Sequence, residues 1–125
     1  MSPQEIIEHW RKGAKDALEM AELAYKAEKY DHALFNCQLA IEKGLKTLYM
    51  EEQAKDHPRT HDLSLLAHLL DRSFNESEEE LFKELTDFAV DARYNDPDWV
   101  KEEATRQNTE KWIRRTSDFL SAHLS

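Results

Sequence analysis

The chain has 125 residues with a formal net charge of −9, and 34% of its residues are charged, whereas glycine and proline number 2 and 3. This length and composition predict a single domain over residues 1–125 that has its own hydrophobic core and is built from long helices. The acidic balance argues against binding along duplex DNA, which requires a basic face, and the lack of an apolar run of about 18 residues argues against a membrane span.

The first two predicted helices follow from capping residues and apolar spacing. Ser2 suits an N-cap and Pro3 suits the first turn, where its missing N–H removes no hydrogen bond. Apolar residues then recur at spacings of three and four, which predicts a helix to about Glu28. Asp31 can cap a second helix that ends near Gln53.

The beginning of the chain and its cysteine indicate the compartment. The opening residues, MSPQEIIEHW, are acidic and amphipathic, unlike a secretory signal. Cys37 is the single cysteine, so the chain cannot form an internal disulfide, which fits a reducing compartment. We therefore expect a cytoplasmic protein in which Cys37 is a small apolar packing residue, with a functional thiol as the alternative.

A loop and a third, shorter helix come next. Pro58 disfavours helical geometry at His57, which predicts a loop over residues 54–60. Thr60, His61 and Asp62 then lead into a helix with the apolar residues Leu63, Leu66, Leu69 and Leu70. His57 and His61 are four residues apart and His68 follows, but Pro58 interrupts the helix that would place the first two on one face. No metal site is expected, and no cofactor.

The fourth helix is delimited by an acidic start and a proline. Asn75 or Ser77 precedes three consecutive glutamates, which suit the positive end of the helix dipole. Pro97 disfavours helix at the residue before it, so this helix should end at Arg93 or Tyr94.

The last predicted helix completes the architecture. It begins between Trp99 and Thr105 and runs to about His123. No segment alternates as a strand does, and the loops between the long helices are short. The sequence therefore predicts an all-α fold, an antiparallel up-and-down bundle of four to five helices.

A polar stripe on the second helix has two interpretations. Gln38, Glu42 and Lys46 are spaced four residues apart, beside the apolar line. In one interpretation Glu42 and Lys46 form an exposed pair, and in the other the stripe lines a groove and holds a charged partner from another helix. As groove-edge residues they should tolerate alanine with a loss below about 1 kcal/mol in the free energy of unfolding.

Two more segments carry polar residues at helix ends. His61 and Asp62 stand at the start of the third helix, where both suit capping and docking. In DARYNDPDW, Asp91 to Trp99, Arg93 suits the negative end of the fourth helix, and Asn95, Asp96 and Pro97 form a turn signal. These residues by themselves indicate no more than a cap and a turn.

Three segments together resemble the HEPN-domain family. They are AIEKGLKTLY (Ala40 to Tyr49), THDLSLL (Thr60 to Leu66) and DARYND (Asp91 to Asp96), similar in order and spacing to the family's A-x-E-K-x-x-K, T-H-D-L and A-R-Y-P-D stretches. The resemblance implies a bundle of four or five helices, often dimeric. It also implies a prokaryotic protein that binds a nucleotide or RNA beside a separate minimal nucleotidyltransferase, in a toxin–antitoxin or defence pair.

The resemblance also implies the site residues. Those that match the family's motifs are Glu42, Lys43, Lys46, His61, Asp62, Arg93, Tyr94 and Asp96. Asn95 stands where the family usually has proline. A guanidinium fork suits phosphate, a tyrosine ring can stack on a base, and Glu42 or Asp91 is expected to orient Arg93.

One departure limits the chemistry. RNase members of the superfamily use an R-x4–6-H motif, and no histidine follows Arg93 at that spacing. The leading prediction is therefore a non-catalytic protein that forms a homodimer and binds a nucleotide or RNA. The alternatives are an RNase toxin that uses Arg93 and His61, with His61 in acid–base chemistry, and a purely structural dimerisation module.

Overall fold

Six helices follow one another in the computed structural model, which describes residues 1–94 and 97–124 and leaves aside the side chains of residues 93, 94, 97 and 99. They are α1 (Pro3–Lys26), α2 (Tyr30–Gln53), α3 (Leu63–His68), α4 (Glu76–Tyr94), α5 (Pro97–Glu103) and α6 (Arg106–Leu124). No strand occurs in these described ranges. The predicted all-α bundle is confirmed.

The helix starts show why these segments are helical. Ser2 Oγ accepts a hydrogen bond from the Glu5 amide at 3.2 Å at the start of α1. Asn75 and Glu78 form a reciprocal capping box at α4, with the Glu78 amide donating to Asn75 Oδ1 at 2.8 Å and the Asn75 amide to Glu78 Oε1 at 2.9 Å. The predicted starts at Ser2 and Asn75 are confirmed.

Two boundaries differ from the prediction. Asp31 is not the cap of α2 but lies in its first turn, because the chain turns at Glu28 with a φ of 61° and Tyr30 is already helical. Residues 97–103 form the separate helix α5, because proline suits a first helical position as well as it stops a preceding helix. Thr105 then starts α6, accepting from the Asn108 amide through its hydroxyl at 3.2 Å.

Helix α2 lies at the centre of the bundle, packed against α1, α3, α4 and α6. The largest fully buried apolar side chains are Phe82, Leu34, Ile41, Leu45, Leu63, Leu66, Leu81, Leu85 and Leu124. Cys37 is also fully buried, and burial raises the pKa of its thiol to about 12. Its predicted role as an apolar packing residue is confirmed. None of the described helices is both long and apolar enough to span a bilayer.

Candidate functional site

The polar stripe on α2 is buried. Gln38, Glu42 and Lys46 expose 7%, 5% and 4% of their surfaces. The interpretation of Glu42 and Lys46 as an exposed pair is therefore wrong, and so is the premise on which they were expected to tolerate alanine. The loop over residues 54–62 and helix α1 cover the stripe, and neither is visible in the local spacing of α2.

Every oxygen of the Glu42 carboxylate has a partner. Oε1 accepts from Gln38 Nε2 at 3.0 Å and from His61 Nδ1 at 2.9 Å, and Oε2 accepts from Lys46 Nζ at 3.2 Å. The groove interpretation expected a charged partner from another helix, but the side chain that reaches Glu42 from outside α2 is His61, which lies in the loop before α3.

These partners keep Glu42 ionised. Burial acts to raise the pKa of this carboxyl, but the hydrogen bonds from His61 and Gln38 and the charge of Lys46 outweigh it and lower the pKa below its ordinary value. A buried anion fully supplied with donors is a fixed acceptor, so it can orient the imidazole in front of it.

His61 is the exposed end of this network. Its side chain is 69% exposed, although its Nδ1 hydrogen-bonds a carboxylate that is almost entirely buried. Because an ionised carboxylate can only accept, Nδ1 carries the proton, and in the neutral ring the lone pair lies on Nε2. The arrangement presents Nε2 as an acceptor in the neutral ring and as a donor when the ring is protonated.

Asp62 and its neighbours fix the backbone beside His61. Asp62 Oδ1 accepts from the Leu65 amide at 3.2 Å and so caps α3. The Asp62 amide donates to Thr60 Oγ1, and the Leu63 amide donates to Thr86 Oγ1 on α4 at 3.1 Å. The predicted capping role of this segment is confirmed, and the same bonds join it to α4.

Two residues outside the predicted set support the loop. The rings of Trp10 on α1 and His57 in the loop meet edge to face with centroids 4.5 Å apart. Lys46 Nζ lies 5.6 Å from the centroid of the same indole. In the sequence Trp10 reads as one more apolar position of α1, and nothing in its local pattern pairs it with a loop so far along the chain.

The other predicted residues are placed differently. Lys43 lies against α1, where its side chain approaches Gly13, and so it is outside the Glu42 network. Arg93 and Tyr94 form the last turn of the α4 backbone, but their side chains, and all of Asn95 and Asp96, lie outside the described residues. The predicted pairing of Arg93 with Glu42 or Asp91 stays a prediction.

The described residues form no metal site, and a cavity lies away from the Glu42 network. No group of three or more His, Cys, Asp or Glu side chains in the described part could hold a metal ion. A separate cavity of about 750 Å³ lies between the start of α1 and the end of α2, lined by residues that include Ile6, Ile7, Met50 and Lys55. It does not include Glu42 or His61.

Comparison with known proteins places these features in a family. The model of the HEPN domain matches residues 7–124. The crystal structure of TT1696 from Thermus thermophilus superposes with a TM-score of 0.78 and 24% sequence identity, over 92% of this chain and 93% of that one. At that identity the likeness shows a shared fold. A comparison with curated proteins found no match.

Proposed function

The chain belongs to the HEPN domain family, and from that premise we propose that it binds a nucleotide or an RNA element at a site formed by His61 and the end of α4. It acts in the prokaryotic cytoplasm beside a separate minimal nucleotidyltransferase, as one half of a toxin–antitoxin or defence pair. The ligand and the partner both follow from the resemblance of its three motifs to the family.

One observation carries the proposal. A buried, ionised carboxylate, Glu42, holds the ring of an exposed histidine at 2.9 Å, and Gln38 and Lys46 hold that carboxylate in turn. A capping role does not need this arrangement, because Asp62 already caps α3. An oriented imidazole at the surface suits contact with a phosphate or a base edge.

In this proposal some site residues contact the ligand, and others hold the contacting residues in place. His61 touches the ligand, whereas Glu42 and Lys46 are buried and act behind it. Arg93 supplies a guanidinium for phosphate and Tyr94 a ring for base stacking, from the last turn of α4. Asp96, which the motif also assigns to the ligand site, lies outside the described residues.

The test compares two histidines of equal exposure. His61 and His68 have side chains that are 69% and 68% exposed, and each faces a glutamate, Glu42 and Glu79. Isothermal titration with adenosine monophosphate and a short single-stranded RNA should show about tenfold weaker binding for His61→Ala, as expected when one hydrogen bond to a charged group is lost. His68→Ala should bind as the wild type does.

Equal binding by the two variants would contradict the assignment of His61. Failure of the wild-type protein to bind either probe would favour the alternative of a structural dimerisation module. Arg93→Lys adds an independent comparison, because lysine keeps the charge at the helix end but not the fork. We expect Arg93→Lys to bind the ligand more weakly at unchanged stability. Unchanged binding would mean that Arg93 only caps the helix.

The same carboxylate–histidine pair favours a second candidate function, an RNase. In a cleavage reaction His61 Nε2 would take the proton of a ribose 2′-hydroxyl while Glu42 stabilises the imidazolium. The 2′-oxygen would form a bond to the adjacent phosphorus as the bond from phosphorus to the 5′-oxygen breaks, and the 5′-oxygen would take a proton from water. Incubating a labelled RNA with wild type and His61→Ala decides between the candidates. Cleavage that requires His61 would make the protein an enzyme, and binding without cleavage supports the leading proposal.

A further inference from the structure

Two sets of contacts hold His61 in place, one through side chains and one through the backbone of its loop, and the ring of Trp10 touches a residue of each. These two sets are called the side-chain route and the backbone route. One route runs through side chains, from Lys46 to Glu42 to His61, with successive distances of 3.2 Å and 2.9 Å. The other runs along the backbone of the loop from His57 to His61. Lys46 Nζ lies 5.6 Å from the indole centroid, and the His57 ring lies 4.5 Å from it.

The side-chain route depends on where Lys46 sits. Its ammonium is buried, and its partners in the described structure are the Glu42 carboxylate and the indole face. A cation over an indole gains electrostatic stabilisation from the negative face of the ring, and more so when water is excluded. The ammonium is therefore held both by the carboxylate and by the indole.

The backbone route depends on His57. Its side chain is only 13% exposed, and Nδ1 donates to the carbonyl of Pro58 at 3.0 Å, so the ring is tied to the loop that carries it. Edge-to-face contact with Trp10 then docks that loop against α1. Pro58 restricts the chain immediately after His57, which transmits the docked position toward His61.

We infer that Trp10 and His57 are positioning residues for His61. They fix the position and orientation of its imidazole before the ligand binds, and they do not contact the ligand. This inference rests on the proposed function for the identity of the ligand. The position of the ring can nevertheless be measured in the ligand-free protein, which separates the two claims.

The experiment measures the His61 imidazole by NMR with ¹⁵N-labelled histidine. At a pH where the ring is neutral, the wild type should show a protonated Nδ1 in a hydrogen bond and an unprotonated Nε2. Trp10→Leu removes the ring from both routes, and we expect the Nδ1 proton signal to be lost or shifted and the affinity for adenosine monophosphate or short RNA to fall about tenfold. Trp10→Phe keeps an aromatic edge for His57 and should restore most of both.

Phe74→Leu is the matched control. Phe74 also packs against a histidine, with its ring centroid 5.3 Å from that of His123, in a cluster that does not include His61. This variant should lower thermal stability as Trp10→Leu does, and leave the His61 signal and the probe affinity unchanged.

His57→Ala keeps the inference testable if Trp10→Leu does not fold, because it removes only the loop side of the contact. It should shift the His61 signal in the same direction. The inference is overturned if the foldable variants of Trp10 and His57 leave the His61 signal as in the wild type. If the signal shifts but wild-type protein binds neither probe, the positioning role stands and the proposed ligand is wrong.

Discussion

At the scale of single residues, the main energetic feature is an ion pair placed in the interior. Removing a charge from water is costly. Lys46 and Glu42 can both be buried because their opposite charges form an ion pair. Gln38 and His61 complete the donors around the carboxylate. The same residues thus serve stability and orient the histidine, so a variant at this position should change both.

Glu42→Ala should therefore be strongly destabilising. It leaves the Lys46 ammonium buried without a carboxylate, and the expected loss is about 3–5 kcal/mol in the free energy of unfolding. The matched control is Asp87→Ala, which breaks the exposed Lys83–Asp87 pair of the same spacing and should change stability little. Urea denaturation measures both. Equal, small losses would mean that the Glu42 site is hydrated in solution.

Stability should also depend on pH through Glu42. The folded state lowers the pKa of this carboxyl below its ordinary value of 4.5, so its contribution is present above that pH and is lost as the pH falls through the folded-state pKa. The difference in unfolding free energy between wild type and Glu42→Gln should therefore be largest near neutral pH and shrink in acid. A difference that grows below pH 4.5 would reverse the sign of this linkage.

At the scale of helices, the sequence is sufficient to predict those features in which a residue interacts with its own neighbours along the chain. The hydroxyl of Ser2 and the capping box of Asn75 operate within one turn, so the sequence predicts them. Spacing alone could not show that the polar stripe of α2 is buried, because residues spaced i, i+4 give the same sequence pattern whether they face solvent or are covered by a loop. Pro97 is predicted from the sequence to end the fourth helix, and it also begins helix α5. Lys43 shows the same limit, since its motif position does not reveal which neighbour it meets.

Two helical glycines allow a test of packing between helices. At Gly13 an added Cβ would approach the flexible end of Lys43, at 3.1 Å, whereas at Gly44 it would approach Leu120 Cδ2 at 3.1 Å and Leu124 Cδ1 at 3.4 Å inside the α2–α6 interface. Both changes to alanine improve helix propensity by about 1 kcal/mol.

Lys43 can move aside, so Gly13→Ala should raise the melting temperature. The interface leucines cannot move as easily, so the strain at Gly44→Ala should exceed the gain and lower stability by about 1 kcal/mol. Thermal melts of the two variants measure the contrast. Equal stabilisation would indicate that α2 and α6 pack less closely than described.

At the scale of the molecule, the exposed apolar surface bears on assembly. Trp112 is buried within the bundle, but other large apolar side chains are exposed. Among the residues whose side chains the structure describes, the exposed large apolar ones are Met1, Ile6, Met20, Leu23, Phe35, Leu65, Leu69 and Val90. They are distributed over several helices and leave apolar surface on which a second copy can pack.

We propose a two-fold dimer formed by helix faces. Light scattering coupled to size exclusion at micromolar protein should give twice the mass of the 14.7 kDa chain. A monomer mass across the accessible concentrations would contradict the dimer, without bearing on the Glu42–His61 site, which is complete in its described contacts within one chain.

The central proposal is that a nucleotide or RNA binds at a site formed by His61 and the end of α4. The most direct measurement is an NMR map of amide shifts as adenosine monophosphate or a short RNA is added to the wild-type protein. The account predicts that the largest shifts fall at residues 60–62 and 91–94, accompanied by a change at His61 Nε2. Shifts centred on the cavity beside Ile6 and Met50, or none at saturating probe, would contradict it.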